Sequence, residues 1–506
     1  MKTQTITGEC ANRSPFGEPR ADAQNDHSFS RLFCAGVIRK ELSFFMNQKK
    51  IYDAITNVPD NLVEEASNTK LKRTYAAWKK WTAMAAGLAI IIGIASIIPR
   101  LGNKSGDALY NVVFPKAYAF DDLDARRTIR ESNPVEASFL KALNDFSYIT
   151  AARVFSDSRE NVNYSPLSLY FALAMATSGA GGETLNEFLA LLGVPDRDTL
   201  SEQCGNLYRL LYFDNKIGRL KIGNSLWMHK GIKWKNDFIK NAAESFYAHS
   251  YSVDFTDEQS TGRAMGKWVS DNTNGTLTPQ FDIKPEQILA IINTVYFYDE
   301  WNVRFEESWT KEDVFYISDS TAVSCDFMNS THYGGSFYHG NNYTRATLGL
   351  KNWGQMIFIL PDEGVSVNEL LATPVKMQAV FEEGKYSNGA VLWQIPKFSF
   401  GSMFDDMKET LQSLGITTAF NIDDADFSGI TDEIAYITSI CQETRISIDE
   451  KGVEASAYTK VDITGGSSGG PQDMAEMILN RPFIFGITAP NGTLLFVGGC
   501  ENPLAG

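Results

Sequence analysis

Gly466, Ser467, Ser468, Gly469 and Gly470 spell G-x-S-x-G, the pattern that in a nucleophile elbow lifts a serine hydroxyl onto a sharp turn. The surroundings do not supply that chemistry. An elbow needs a strand leading in, a helix leading out and a histidine later in the chain. Here Pro471 follows at once and the last histidine is His339. The five histidines, at 27, 229, 249, 332 and 339, form no H-E-x-x-H, and neither a P-loop nor a complete G-x-G-x-x-G is present. Asp423, Asp424 and Asp426 read as a solvated loop rather than an acid and base pair. Cysteines at 10, 34, 204, 325, 441 and 500 include no C-x-x-C and no histidine at ligand spacing. They read as buried or half-buried free thiols; no metal and no cofactor is expected. On these grounds the chain is not an enzyme.

A different stretch carries more information: Glu450 to Ile463, EKGVEASAYTKVDI. Val453, Ala455, Ala457, Thr459, Val461 and Ile463 are small or apolar, while Glu454, Ser456, Tyr458, Lys460 and Asp462 between them are polar or amphipathic. Such alternation describes a strand with one face made for a core. It runs into TGGSSGGPQD, whose glycines and serines make a flexible, protease-accessible loop. Taken alone, the segment is an amphipathic edge strand with a long hairpin loop.

The rest of the chain must position that segment. With 506 residues, 43% hydrophobic and 21% charged, it can bury a large core. Its 46 basic against 61 acidic residues give a net charge of −15, which argues against binding nucleic acid. Trp81 to Ile98, WTAMAAGLAIIIGIASII, is free of charge and would span roughly 27 Å as a helix, close to a bilayer's hydrocarbon thickness. Lys70, Lys72, Arg73, Lys79 and Lys80 precede it and only Arg100 and Lys104 follow closely. That bias puts the N-terminus in the cytoplasm and residues beyond about 100 outside the cell. The long region before it and the missing A-x-A site favour a signal anchor over a cleaved signal peptide. The expected organisation is a cytoplasmic segment 1–80, a transmembrane anchor 81–98, a linker 99–134 and a globular domain 135–506. Residues 1–45 lack periodicity, and Met46 opens a charged, helix-compatible stretch, so Met46 is read as the true start.

Within the outer part, Ser165 and Pro166 are an N-cap and first-turn proline ahead of LSLYFALAMA, a helix apolar on nearly every side. A second helix is expected from about Glu183 to Leu192, with Gly193 ending it. IINTVYFY (291–298), QMIFILP (355–361) and ITSICQETRISIDE (437–450) have strand composition. Pro490, Asn491 and Gly492 separate FIFGITA from TLLFVGG as a hairpin turn. Early helices and late strands without regular alternation indicate an α+β fold.

Together these residues resemble a serpin over about 135–505, of a bacterial, membrane-anchored type. The matching blocks, in order, are NVNYSPLSLYFALAMATSGAGGET, WVSDNTNG, NTVYFYDEWNVRF, ILPDEG, IPKFSF, LGITTAF, ADFSGI and RPFIFGITAPNGTLLFVGGCENP. The resemblance implies three β-sheets, eight to nine helices and an exposed reactive-centre loop over 450–480. It also implies a monomer that inhibits a target serine protease as a suicide substrate. The protease attacks the loop and forms an acyl-enzyme, and the freed loop inserts into the central sheet, leaving a covalent complex. Glu450, Gly452, Val453, Glu454, Ala455, Ser456 and Ala457 fall on the hinge. Counting from them as the family does places the reactive bond at Gly466–Ser467, suited to an elastase-like or subtilisin-like protease. Ser165, Ser168 and Asn293 match the polar network that controls sheet opening, and Trp301 matches the aromatic where the loop first inserts. Many serpins carry a histidine in that network where this chain has Gln442. Gln442 can donate and accept, so the network survives while its pH response does not follow. The alternative within the resemblance is a non-inhibitory serpin acting as a binding module. The unbroken alternation through Ile463 argues against it.

Overall fold

The computed structural model describes residues 109–156, 158–404, 406–453 and 473–505, all within the compact unit Gly102–Gly506. The expected segments 1–80 and 81–98 lie outside the described residues. Among those described, no helix is long and apolar enough to cross a membrane.

The helices are α1 (Leu123–Ser132), α2 (Ala137–Phe155), α3 (Pro166–Ser178), α4 (Gly182–Leu192), α5 (Arg197–Leu211), α6 (Asn236–Ser245), α7 (Glu258–Asn272), α8 (Val367–Leu371), α9 (Pro374–Glu382) and α10 (Lys408–Ser413). α3 begins where expected. Ser165 caps it by accepting from the Ser168 N–H, Pro166 occupies its first turn, and its residues are buried on nearly all sides. Gly193, at φ 69°, closes α4 in the left-handed conformation. α1 falls in the segment expected to be a linker.

The early strands are β1 (Val162–Tyr164), β2 (Phe213–Asp214), β3 (Gly218–His229), β4 (Ala248–Val253), β5 (Leu289–Glu300), β6 (Lys311–Ser318), β7 (Thr321–His339) and β8 (Tyr343–Gly349). The later ones are β9 (Gln355–Pro361), β10 (Ser387–Pro396), β11 (Phe398–Phe404), β12 (Gln442–Ile448), β13 (Gly452–Val453), β14 (Met474–Ile478), β15 (Phe483–Thr488) and β16 (Leu494–Cys500). The strand expected over 437–450 is shorter, because Ile437 and Ile440 bond to Ala419 and Met407 instead of joining a ladder.

One sheet runs β11-β12-β13-β5-β3-β2, with β4 on β3. The other runs β1-β16-β15-β9-β8-β7-β10-β14, with β6 on β7. Three sheets are expected and two continuous ladders are found, because β7 belongs to two layers. Along one edge its residues 321–327 pair with β6 and its last four pair with β8, while residues 327–337 pair with β10 on the other edge. Gly334, at φ 78°, is the unpaired residue of a bulge against β10, between Tyr333 opposite Ala390 and Gly335 opposite Gly389.

The main core packs α3 between the two sheets. A second cluster, including Trp227, Trp268 and Ile292, lies beneath α7 on the other face of the β5 sheet. β5 therefore has two buried faces. Leu289, Ile291, Val295 and Phe297 turn toward the main core, and Ala290 and Ile292 toward the α7 cluster.

Candidate functional site

Beyond Ile448 the chain reverses tightly. Asp449 Oδ1 accepts from Lys451 N at 2.8 Å and Gly452 N at 3.3 Å, and Asp449 N donates to Gly452 O at 3.1 Å. Gly452 and Val453 then form β13, with Gly452 opposite Glu300, Val453 opposite Asp299, and Val453 opposite Ile448 on the other side. A Cβ on Gly452 would sit 2.2 Å from the Asp299 carbonyl oxygen, so glycine is required for this approach. β5 and β12 both run antiparallel to β13, and among the described residues they share no ladder of their own. They stand one strand apart. Val295, Phe297, Ile446 and Val453 line the narrow cavity between them.

Trp301 is buried beside this turn. Its indole Nε1 donates to Asp449 O at 2.9 Å and its backbone N to Lys451 O at 3.0 Å. Glu450 is buried too, and it accepts from Thr310 Oγ1 at 2.8 Å and Lys397 Nζ at 3.1 Å. Burial pushes its carboxyl up, but its hydrogen bonds and Lys397 outweigh that and hold it below the usual range. Among the expected hinge residues the structure thus places Glu450, Gly452 and Val453. Glu454, Ala455, Ser456 and Ala457, and the bond Gly466–Ser467, lie outside the described residues.

The expected polar network is assembled at the start of α3. Ser168 Oγ donates to Asn293 Oδ1. Gln442 Oε1 accepts from Ser165 N at 3.0 Å, its Nε2 donates to Ser165 O at 2.9 Å, and Ser165 Oγ donates to Leu495 O at 2.8 Å. Both ends of the Gln442 amide are thus used, and the network closes through an amide that does not titrate. Trp301 lies apart from this network, on the hinge turn. One member, Asn224, escaped the sequence reading, as did Asp299, which lies outside this network at the hinge end of β5. Asn224 Oδ1 accepts from Asn293 Nδ2 at 2.6 Å, and its own Nδ2 donates to Phe246 O. Asp299 is fully buried, and burial pushes its carboxyl up to about 7 against the N–H donors of Asn352 and Glu300. The signal for Asn224 was present: an amide inside GRLKIGNSLWMH must find a partner when the strand is buried.

Among the described residues no cluster of histidine, cysteine, aspartate or glutamate could hold a metal. Cys204, Cys325 and Cys500 are buried free thiols as expected, but Cys441 is exposed. Residues 141–503 match the family model described as serpin, serine protease inhibitor. The chain belongs to the serpin family. It is 29% identical over 393 residues to an uncharacterised serpin-like protein of Thermococcus kodakarensis, covering 73% of this chain and 87% of that one. It is 26% identical to the alpha-1-antiproteinase of Rattus norvegicus, covering 77% and 95%. Among solved structures it resembles native Tengpin, a thermophilic serpin, with TM-score 0.66 and 29% identity over 79% of this chain and 100% of that one. Serpin48 of the insect Tenebrio molitor aligns with TM-score 0.65 at 26% identity, covering 72% and 98%. Serpins are protease inhibitors rather than enzymes, so Ser468 is not a catalytic nucleophile.

Proposed function

We propose that this serpin inhibits a serine protease as a suicide substrate, its loop inserting between β5 and β12 after cleavage. The observation that carries the proposal is β13, whose two residues already separate those strands. Continued in the register of Val453 and Asp299, each further loop residue moves one residue back along β5. Ala455 then meets Phe297, Ala457 meets Val295, Thr459 meets Asn293, Val461 meets Ile291 and Ile463 meets Leu289. On the other side, Ala455 meets Ile446, Ala457 meets Thr444 and Thr459 meets Gln442. Every small or apolar loop residue falls on the face that β5 turns to the main core. The one hydroxyl among them, Thr459, falls on the polar network. β5 runs out at Ile463, three residues before Gly466–Ser467.

A glycine at the cleaved bond fits an elastase-like or subtilisin-like target that accepts small residues. Residues 81–98 hold the domain on the outer face of a cell membrane, with the N-terminus in the cytoplasm. The test is incubation of the full chain with each protease, followed by a denaturing gel. A band at the summed mass less the released C-terminal peptide, surviving denaturation, supports the trap. Quantitative cleavage without that band by both enzymes contradicts it.

A further inference from the structure

The hinge meets β5 at a buried carboxylate. Asp299 Oδ1 accepts from Asn352 Nδ2 and from Glu300 N, each at 2.9 Å, and its Oδ2 accepts from Asn352 N at 2.9 Å. Among the described residues no cation donates to it. Asn352 is itself held on two sides. Asn215 Nδ2 donates to its Oδ1 at 2.7 Å, and Arg126 Nη2 of α1 donates to its carbonyl oxygen at 3.2 Å. Asn215 also accepts from Ile217 N and Gly218 N, and Gly218 is the register partner of Asp299 on the side away from Val453. One node therefore ties α1, the β2–β3 turn and the turn at 350–354 to the residue of β5 where an inserting strand starts.

Of the charged groups on the elements packed around Asp299, Glu300 adds to the upward push on its carboxyl, and each has partners of its own. Glu300 of β5 is paired with Arg304 at 2.7 Å and Lys351 at 2.6 Å. Asp214 of β2 is paired with Arg219 and Lys221 of β3. Arg126 lies over Trp353, and Asp449 of the hinge turn accepts from the Lys451 and Gly452 backbone.

Resting on the insertion reading above, we propose that Asp299 is the positioning residue that latches the end of β5 to Asn352, and that this latch gates admission of the loop, more tightly in acid. A carboxylate buried without a counter-ion takes up a proton more readily than one in water. Opening the latch lets water reach it and releases that proton. The closed form therefore titrates near 7 and the open form nearer the ordinary 3.8. Opening grows as pH rises through that window, at most about tenfold per pH unit, and levels off above 7.

The test is the rate at which the full chain, in detergent, takes up a fluorescent peptide of sequence 453–463 between pH 5.5 and 8. The expected rate rises about tenfold or more and then flattens. Asp299→Asn, checked for native circular dichroism, should flatten the profile to within about twofold. Asn352→Ala should raise the rate at every pH while keeping its slope, and it serves as the test if Asp299→Asn does not fold. Peptide uptake with a flat wild-type profile overturns the gate and leaves sheet expansion standing. No uptake at any pH overturns both.

Discussion

Val453 is paired through its backbone with Asp299 of β5, and its buried side chain packs in the main core between the two sheets. Replacing it by glutamate puts a second carboxylate opposite Asp299, where the inserting strand must begin, and burying that unpaired charge is prohibitive. Val453→Glu is expected to lower the yield of covalent complex about tenfold or more while cleavage of the loop continues. Gel densitometry of complex against cleaved chain, at equal protease, measures this. An unchanged ratio would show that insertion does not pass through this position.

Gln442 satisfies both the N–H and the carbonyl of Ser165 at the start of α3. Gln442→Ala leaves the Ser165 N–H without this partner, at about 1–3 kcal/mol where water does not replace it, while the Ser165 carbonyl keeps the Leu169 N–H. The denaturation midpoint in guanidinium should fall while the slope stays constant. A midpoint equal to that of the wild type would mean that the amide adds nothing to the sheet.

Much of this was written in the sequence. Ser165 and Pro166 announce α3, Gly193 ends α4, and the apolar runs at 355–361 and 483–499 mark strands, because caps, turns and periodicity act locally. What stayed hidden depends on contacts between distant segments. Ile437 and Ile440 have strand composition, yet their backbone partners are Ala419, in a 3-10 turn, and Met407, the N-cap of α10. Nothing around Asp299 reveals that Asn352, more than fifty residues later, will donate to it twice. α1 likewise sits in a charged segment with no buried residue of its own, and it is tied to the fold by Arg126 on Asn352 and Trp353 and by its C-cap Asn133, which accepts from Arg209 of α5.

Glu450 supplies a pH test at the hinge. Its carboxyl is held below the ordinary 4.5, so its contribution to stability is present above that value and is lost as pH falls through the lower, folded one. Glu450→Gln should be less stable than the wild type at pH 7, and the gap should close below pH 4.5. Thermal melts of both proteins from pH 7 to pH 3.5 would show it. A gap that is constant with pH would contradict the role given to Lys397 and Thr310.

The proposed anchor predicts the fate of the two ends. Protease added to intact cells should remove the domain beyond residue 100 and spare peptides from 46–80. Peptides from 1–40 in the native protein would refute Met46 as the start. Loss of the 46–80 peptides from sealed cells would refute the orientation.

The central claim is that the loop is cleaved and stays joined to its protease. Mass spectrometry of the denatured reaction with an elastase-like enzyme tests it directly. The account predicts a released peptide that begins at Ser467, and a complex whose mass is protease plus chain ending at Gly466 less one water, as an ester requires. A released peptide accompanied only by free protease and cleaved chain, whatever the enzyme, would contradict it.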